Sequence, residues 1–135
     1  MSKLVLTNSN VVLGGTDISD YVASVTLTTS VNEVETTSFG SGGAVQRVGG
    51  LQDNSVTLDL HQDYSAIEGL VYPLIGSTTS LVVKPNGTAV GTANPSYTTN
   101  SVLITEWTPV NGAVGELSTI SVTWPISGTV TKAVA

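Results

Sequence analysis

The chain has 135 residues, 10% charged and 40% hydrophobic, with a net charge of −6 and no cysteine. That is the size of one domain with an ordinary core, and it excludes a disulfide framework, thiolate metal sites and disorder driven by self-repulsion. Four scattered basic residues (Lys3, Arg47, Lys84 and Lys132) cannot neutralise a row of phosphates, which excludes tight nucleic-acid binding as well. Thirty-six residues are Ser or Thr and one is His, so the composition suits pairing strands better than moving protons.

In chain order, residues 1–10 read as an extended arm. Its apolar run Leu4-Val5-Leu6 is too short for a signal peptide, so export by that route is not expected. No stretch approaches the roughly 18 apolar residues of a membrane span. Gly14-Gly15 predicts a turn between Val11-Val12-Leu13 and Thr16-Asp17-Ile18. Val25, Leu27, Thr29 and Val31 alternate with Thr26, Thr28 and Ser30, the period-two pattern of a half-buried strand. Between residues 32 and 50 the pattern dissolves, which predicts a long flexible loop, and loops of that kind usually bind something.

Alternation returns at Val56, Leu58 and Leu60, with Thr57, Asp59 and His61 on the other face. Residues 65–72 are the one credible helix. Ile67, Leu70 and Val71 make its apolar stripe, and Pro73 and Gly76 stop it. Leu81-Val82-Val83 is a short strand ending at Lys84-Pro85, and an irregular stretch follows over residues 88–95. Asn86-Gly87 and Asn111-Gly112 are hairpin-turn signals. Val102, Ile104 and Glu106 predict a further strand, as do Ile120, Val122 and Trp124, and residues 127–135 read as a second extended arm. The whole is a mainly β single domain, a β-sandwich or partly open barrel, with one short helix plugging an end.

Little of the chain offers chemistry. Asp59, His61 and Asp63 are spaced to share one face of a strand, roughly 6 to 7 Å apart. A metal needs a third and fourth ligand, and there is no second His, so a solvated acidic face is the stronger reading. A catalytic triad would have to use His61, and no Gly-x-Ser-x-Gly elbow is present. Gly40-Ser41-Gly42-Gly43 resembles a phosphate loop in glycine content alone, without the lysine or the following helix. Asn86-Gly87-Thr88 fits a glycosylation acceptor but reads better as a turn. Trp107 and Trp124 read as core or interface anchors, and the four tyrosines are too dispersed for a stacking platform. No cofactor is expected, and an enzyme is the least expected class.

Several passages, in this order, resemble the major tail tube proteins of long-tailed bacteriophages, especially the short siphophage form. Asp17-Ile18-Ser19-Asp20-Tyr21-Val22-Ala23-Ser24-Val25-Thr26-Leu27 is similar to that family's opening turn and first long strand. Asn32-Glu33-Val34-Glu35-Thr36-Thr37-Ser38-Phe39-Gly40 resembles its acidic segment and Phe-Gly loop. Gly50-Leu51-Gln52-Asp53-Asn54-Ser55-Val56-Thr57-Leu58 resembles the strand after that loop. Gln62-Asp63-Tyr64, Tyr72-Pro73-Leu74-Ile75-Gly76, Asn94-Pro95-Ser96-Tyr97 and the late strand over residues 118–125 complete the order.

The resemblance implies a β-sandwich or barrel whose copies form stacked, hexameric rings, a tube through which genomic DNA passes. The long loop then makes the contact between rings, with Phe39, Gly40, Val45 and Arg47 as its contact residues, and the terminal arms bridge subunits. Implied partners are further copies and the other tail proteins (tape measure, terminator, baseplate or tip), with transient non-specific DNA passage and no membrane. The implied location is the virion, assembled in the host cytoplasm.

Physical reasoning reaches a similar expectation from the residues. Long strands with one polar face leave backbone edges that a second chain can pair, and cyclic symmetry closes such pairing without runaway growth. Glu33, Glu35, Asp59 and Asp63 are expected to line an acidic lumen that repels phosphates. Two other classes fit the composition: a capsid decoration or head–tail joining protein with the same fold, and an adhesion or carbohydrate-binding β-sandwich.

Overall fold

Valine, isoleucine and threonine dominate the segments that alternate, and β-branched side chains favour pleated strands over helices. The structure, a computed structural model, describes residues 5–134, so Lys3 and Leu4 of the expected N-terminal arm lie outside the described residues. β1 (Asn10–Leu13) turns through Gly14 and Gly15, both at positive φ, into β2 (Thr16–Asp17), as their glycines predict. β3 (Val22–Glu35) and β4 (Arg47–His61) follow, and then a helical segment. β5 (Thr78–Lys84), β6 (Ser96–Leu103), β7 (Thr119–Ile126) and β8 (Thr131–Ala133) complete the chain.

All pairs of strands are antiparallel, in the order β2-β1-β5-β6-β7-β4-β3, with β8 also on β6. The link between β6 and β7 is narrow: Val102 opposite Ile126 is its one ladder position. Beyond Ile126 the chain bends at Ser127 and Gly128 and continues as β8 along β6, placing Thr131 opposite Thr98. One strand therefore leaves β4 and joins β6, folding the sheet over a single core into a partly open barrel. Val11, Leu13, Leu81 and Val102 contribute to that core from one half, and Val56, Leu58, Leu60, Ile120, Val122 and Trp124 from the other.

Five expectations are corrected. The expected loop over residues 32–50 is strand at both of its ends, since β3 and β4 stay paired out to Glu35 opposite Arg47, and the loop itself is confined to residues 36–46. Alternation was absent there because both faces of the distal hairpin are exposed, so no core sorts its residues. The expected strand through Glu106 ends at Leu103, and Glu106 instead uses its side chain to hold β7. The α-helix proper is α1 (Glu68–Val71), extended by a 3-10 turn, Tyr72–Leu74. Pro73 does not stop it, because the first residues of a helical turn have no partner for an N–H in any case. Ile67 and Val71 are buried in the core and Leu70 partly so, as the stripe predicts.

Asn86-Gly87 is a bend inside a longer β5–β6 connection, where Asn94 accepts from the Asn86 N–H and donates to its carbonyl. A hairpin turn of two residues is not what it makes. Finally, the C-terminal arm is occupied by its own chain: β8 pairs with β6. On the N-terminal side Asn10 already belongs to β1, and Asn8 bridges to Asn86.

Candidate assembly interface

β4 meets β7 from Asn54 to His61 and no further, while its pairing with β3 continues to Arg47. Residues 30–35 and 47–53 therefore leave the body as a ribbon of two strands, roughly 20 Å long. Every residue in it is exposed. Val31, Val34, Val48 and Leu51 all lie along it with water on their side chains. A two-stranded hairpin is marginal by itself, so an apolar one projecting into solvent is unusual for a monomer.

The ladder slips between Val31 and Glu33, opposite Gly50 and Leu51. A Cβ at Gly50 would stand 2.8 Å from Val34 Cγ2 and 3.2 Å from the Asn32 carbonyl, so glycine permits the strands to approach there. At the tip, residues 36–46 form a hydrogen-bonded turn where sequence predicted a flexible loop. Thr36 N–H donates to the Gln46 carbonyl at 2.8 Å, Gln46 N–H to Thr37 Oγ1 at 2.9 Å, and Ser38 N–H to Ser41 Oγ at 3.0 Å. Phe39 and Gly40 sit in its 3-10 turn, Phe39–Ser41, and Val45 on the return. All three are exposed, Phe39 completely. Arg47 opens β4 and pairs with Glu33 at 2.7 Å, with 52% and 69% of the two side chains exposed, so the pair adds little stability.

The four acidic residues expected on one wall do not share a surface. Partners directly opposite in the ladder lie on one face, so Glu33 and Glu35 continue the core-facing side of β3 out along the ribbon. Asp59 lies on the opposite face, against Ser24 and Ser121. Asp63 has left the strand, since β4 ends at His61. Its carboxylate accepts from Ser65 N–H, Ser65 Oγ and Ala66 N–H at 3.0, 2.9 and 3.1 Å, which opens the helical segment. Those bonds, the Ala66 N–H first, hold the Asp63 carboxyl below its ordinary pKa, and the nearby Asp63 charge raises the Tyr21 phenol. Asp17 is lowered in the same way, chiefly by the Ser19 hydroxyl at 2.6 Å. Among the described residues, no three His, Asp or Glu side chains converge to hold a metal ion.

Sequence reasoning missed a surface that the pairing assembles. The outward face of β3, β4 and β7 carries Ser24, Thr26, Thr28 and Ser30, then Ser55, Thr57 and Asp59, then Thr119, Ser121 and Thr123. Thr57 and Thr123 hydroxyls bond across it at 3.1 Å. Asp53 and Asp59 are its carboxylates, His61 stands at one end, and no Lys or Arg lies on it. The polar half of each alternation was visible in sequence, but which strands would lie side by side was not.

The edges of this three-stranded half differ. Among the described residues, β3 has no partner on the side away from β4, along all 14 of its residues. β7 is blunted: Glu106 Oε1 accepts its Thr123 N–H at 2.9 Å, and Pro125 has no N–H to offer. The segment bearing Glu106 is itself anchored. Trp124 Nε1 donates to the Glu106 carbonyl at 2.9 Å, Trp107 stacks on Trp124 at 6.3 Å, and Trp107 Nε1 donates to Glu68 at 2.8 Å. Both tryptophans are thus anchors of the body, Trp124 fully buried and Trp107 partly. No family model matches the chain, and no curated protein is similar enough to count as a relative.

Proposed function

We propose that the chain is a structural, self-assembling virion protein of the phage tail-tube type, forming stacked rings that enclose a passage for DNA. The observation that carries this reading is the β3 edge. Fourteen residues of backbone donors and acceptors lie open and run on into an exposed apolar ribbon, and a second copy is the occupant that satisfies both at once. Cyclic closure consumes such edges, whereas open-ended pairing yields fibres.

The hydroxyl-rich face of β3, β4 and β7 suits the wall of the passage. Its short side chains present no cation to trap phosphates, and Asp53 and Asp59 keep a polyanion from adhering. The chain acts without catalysis in this reading. Among the described residues no helix is long and apolar enough to cross a membrane, and the reading requires none.

Negative-stain microscopy of the concentrated, purified protein tests the proposal. Stacked rings or tubes of constant diameter are the expected result. Compact trimers or monomers that dock on phage heads would favour a decoration role. Isolated monomers at every concentration, binding no virion, would end the assembly reading.

A further inference from the structure

We propose that Asn111-Gly112 is a self-modifying site, where the chain cyclises and deamidates without an enzyme, and that Asn94 holds the same dipeptide at Asn86-Gly87 out of that reaction. The product at Asn111 unfastens the β6–β7 connection from the start of β7. The reaction needs only water and does not depend on assembly.

In an Asn-Gly pair the glycine nitrogen stands one ring closure from the side-chain amide carbon. Glycine has no Cβ, so that nitrogen is unhindered and its backbone is free to turn. The Gly112 nitrogen gives its proton to hydroxide and attacks Asn111 Cγ. The new N–Cγ bond closes a five-membered imide, the Cγ–Nδ2 bond breaks, and Nδ2 leaves as ammonia with a proton taken from water. Water then adds to either ring carbonyl. Breaking the bond at Cγ gives aspartate, and breaking the backbone bond gives isoaspartate, whose chain runs through the side chain. One water is consumed, one ammonia is released, and nothing is oxidised or reduced.

The chain has two Asn-Gly pairs, and the fold treats them differently. Asn111 lies in the irregular connection between β6 and β7, where residues 110–117 are all exposed. Its carbonyl accepts from Ser118 Oγ and its Nδ2 donates to the Thr119 carbonyl, both at 3.1 Å and both on the surface. Water replaces such bonds at little cost. A Cβ at Gly112 would meet nothing closer than 3.7 Å, so there is room for the turn that the attack requires.

Asn86 is clamped. Its N–H donates to Asn94 Oδ1 at 2.9 Å, and its carbonyl accepts from Asn94 Nδ2 at 3.0 Å. Asn94 is itself buried, and its Nδ2 also reaches the Thr88 and Ala89 carbonyls at 3.0 and 3.2 Å. A Cβ at Gly87 would stand 3.3 Å from Asn8 Nδ2, so the neighbourhood is close as well. Bringing the Gly87 nitrogen onto Asn86 Cγ means breaking the part-buried bonds on both backbone groups of Asn86, so reaction there waits on local opening.

Conversion at Asn111 removes a donor. A carboxylate only accepts, so the bond to the Thr119 carbonyl becomes two oxygens facing each other. That bond ties the connection to the first residue of β7, and isoaspartate adds a backbone atom beside it.

Peptide mapping by mass spectrometry tests this on the whole protein, held at physiological temperature in mildly alkaline buffer. Asn111 should convert at least tenfold faster than Asn86, to aspartate and isoaspartate, and faster still as pH rises. In guanidinium chloride the two should convert at similar rates. Asn94→Ala should quicken Asn86 at least tenfold, and Asn111→Gln, which keeps the amide, should abolish conversion at that position. Asn111→Asp should quicken hydrogen exchange over residues 110–118 and leave β4 unchanged.

No conversion at Asn111, equal rates at the two sites in the folded protein, or an Asn86 rate indifferent to Asn94→Ala overturns the assignment. A difference between the sites that persists in guanidinium chloride overturns the part given to the fold. Exchange over residues 110–118 of Asn111→Asp that matches wild type overturns the unfastening.

Discussion

β4 is two strands in one. From Asn54 to Leu60 every second residue is buried and the strand is flanked by β3 and β7. From Arg47 to Asp53 no residue is buried and β3 is its sole neighbour. The backbone is the same throughout, so alternation of apolar and polar residues marks a strand pressed against a core and says nothing about strands that leave one. Energetically the body stabilises itself, whereas the ribbon's apolar side chains gain nothing until something covers them.

The contrast can be broken most forcefully in the body. Trp124→Ala removes a fully buried side chain and should cost about 3–5 kcal/mol in urea unfolding. Leu51→Ala, at 83% exposure on the ribbon, should stay within about 0.5 kcal/mol of wild type. Similar losses at the two positions would mean the ribbon is packed in the monomer.

A smaller and more local effect is expected at the slipped register. Gly50→Val places carbon against Val34 and the Asn32 carbonyl. Hydrogen exchange should quicken over residues 30–35 and 47–53 by the equivalent of about 1–3 kcal/mol, with protection of β7 and of β4 beyond Asn54 unchanged. Loss of protection throughout the body would show that ribbon and body unfold as one unit.

The finest distinction concerns Asp63. Its folded pKa is depressed by hydrogen bonds to the ionised form, so the stability it confers is present above the ordinary aspartate value and lost as pH falls through the lower folded value. Asp63→Asn should therefore destabilise the protein at neutral pH, and the gap to wild type should close below about pH 4. A gap that persists in acid would assign Asp63 a role other than through its charge.

Where a core sorts the residues, sequence was a sound guide. The Gly14-Gly15 hairpin, the strands bearing Val56 to Leu60 and Ile120 to Trp124, and the buried Ile67 and Val71 all follow from it. Glu106 and Asp63 were misplaced onto strands because their spacing continued a pattern after the backbone had turned away. Strand order is a long-range property: nothing local in Ser24, Thr57 or Ser121 says that these residues become neighbours on one face. The ribbon escaped notice because two-sided exposure erases periodicity. Phe39 at its tip was legible, since a lone aromatic among Ser, Thr and Gly stands out wherever it falls.

The bond from the buried Asn54, Nδ2 to the Gly128 carbonyl at 2.8 Å, joins the root of the ribbon to the place where β7 hands over to β8. The projection is thus a cantilever with a clamped base. Force applied at its far end is transmitted through Asn54 to the crossing strand that holds the halves of the barrel together, so leverage on one end of the molecule is felt at its closure.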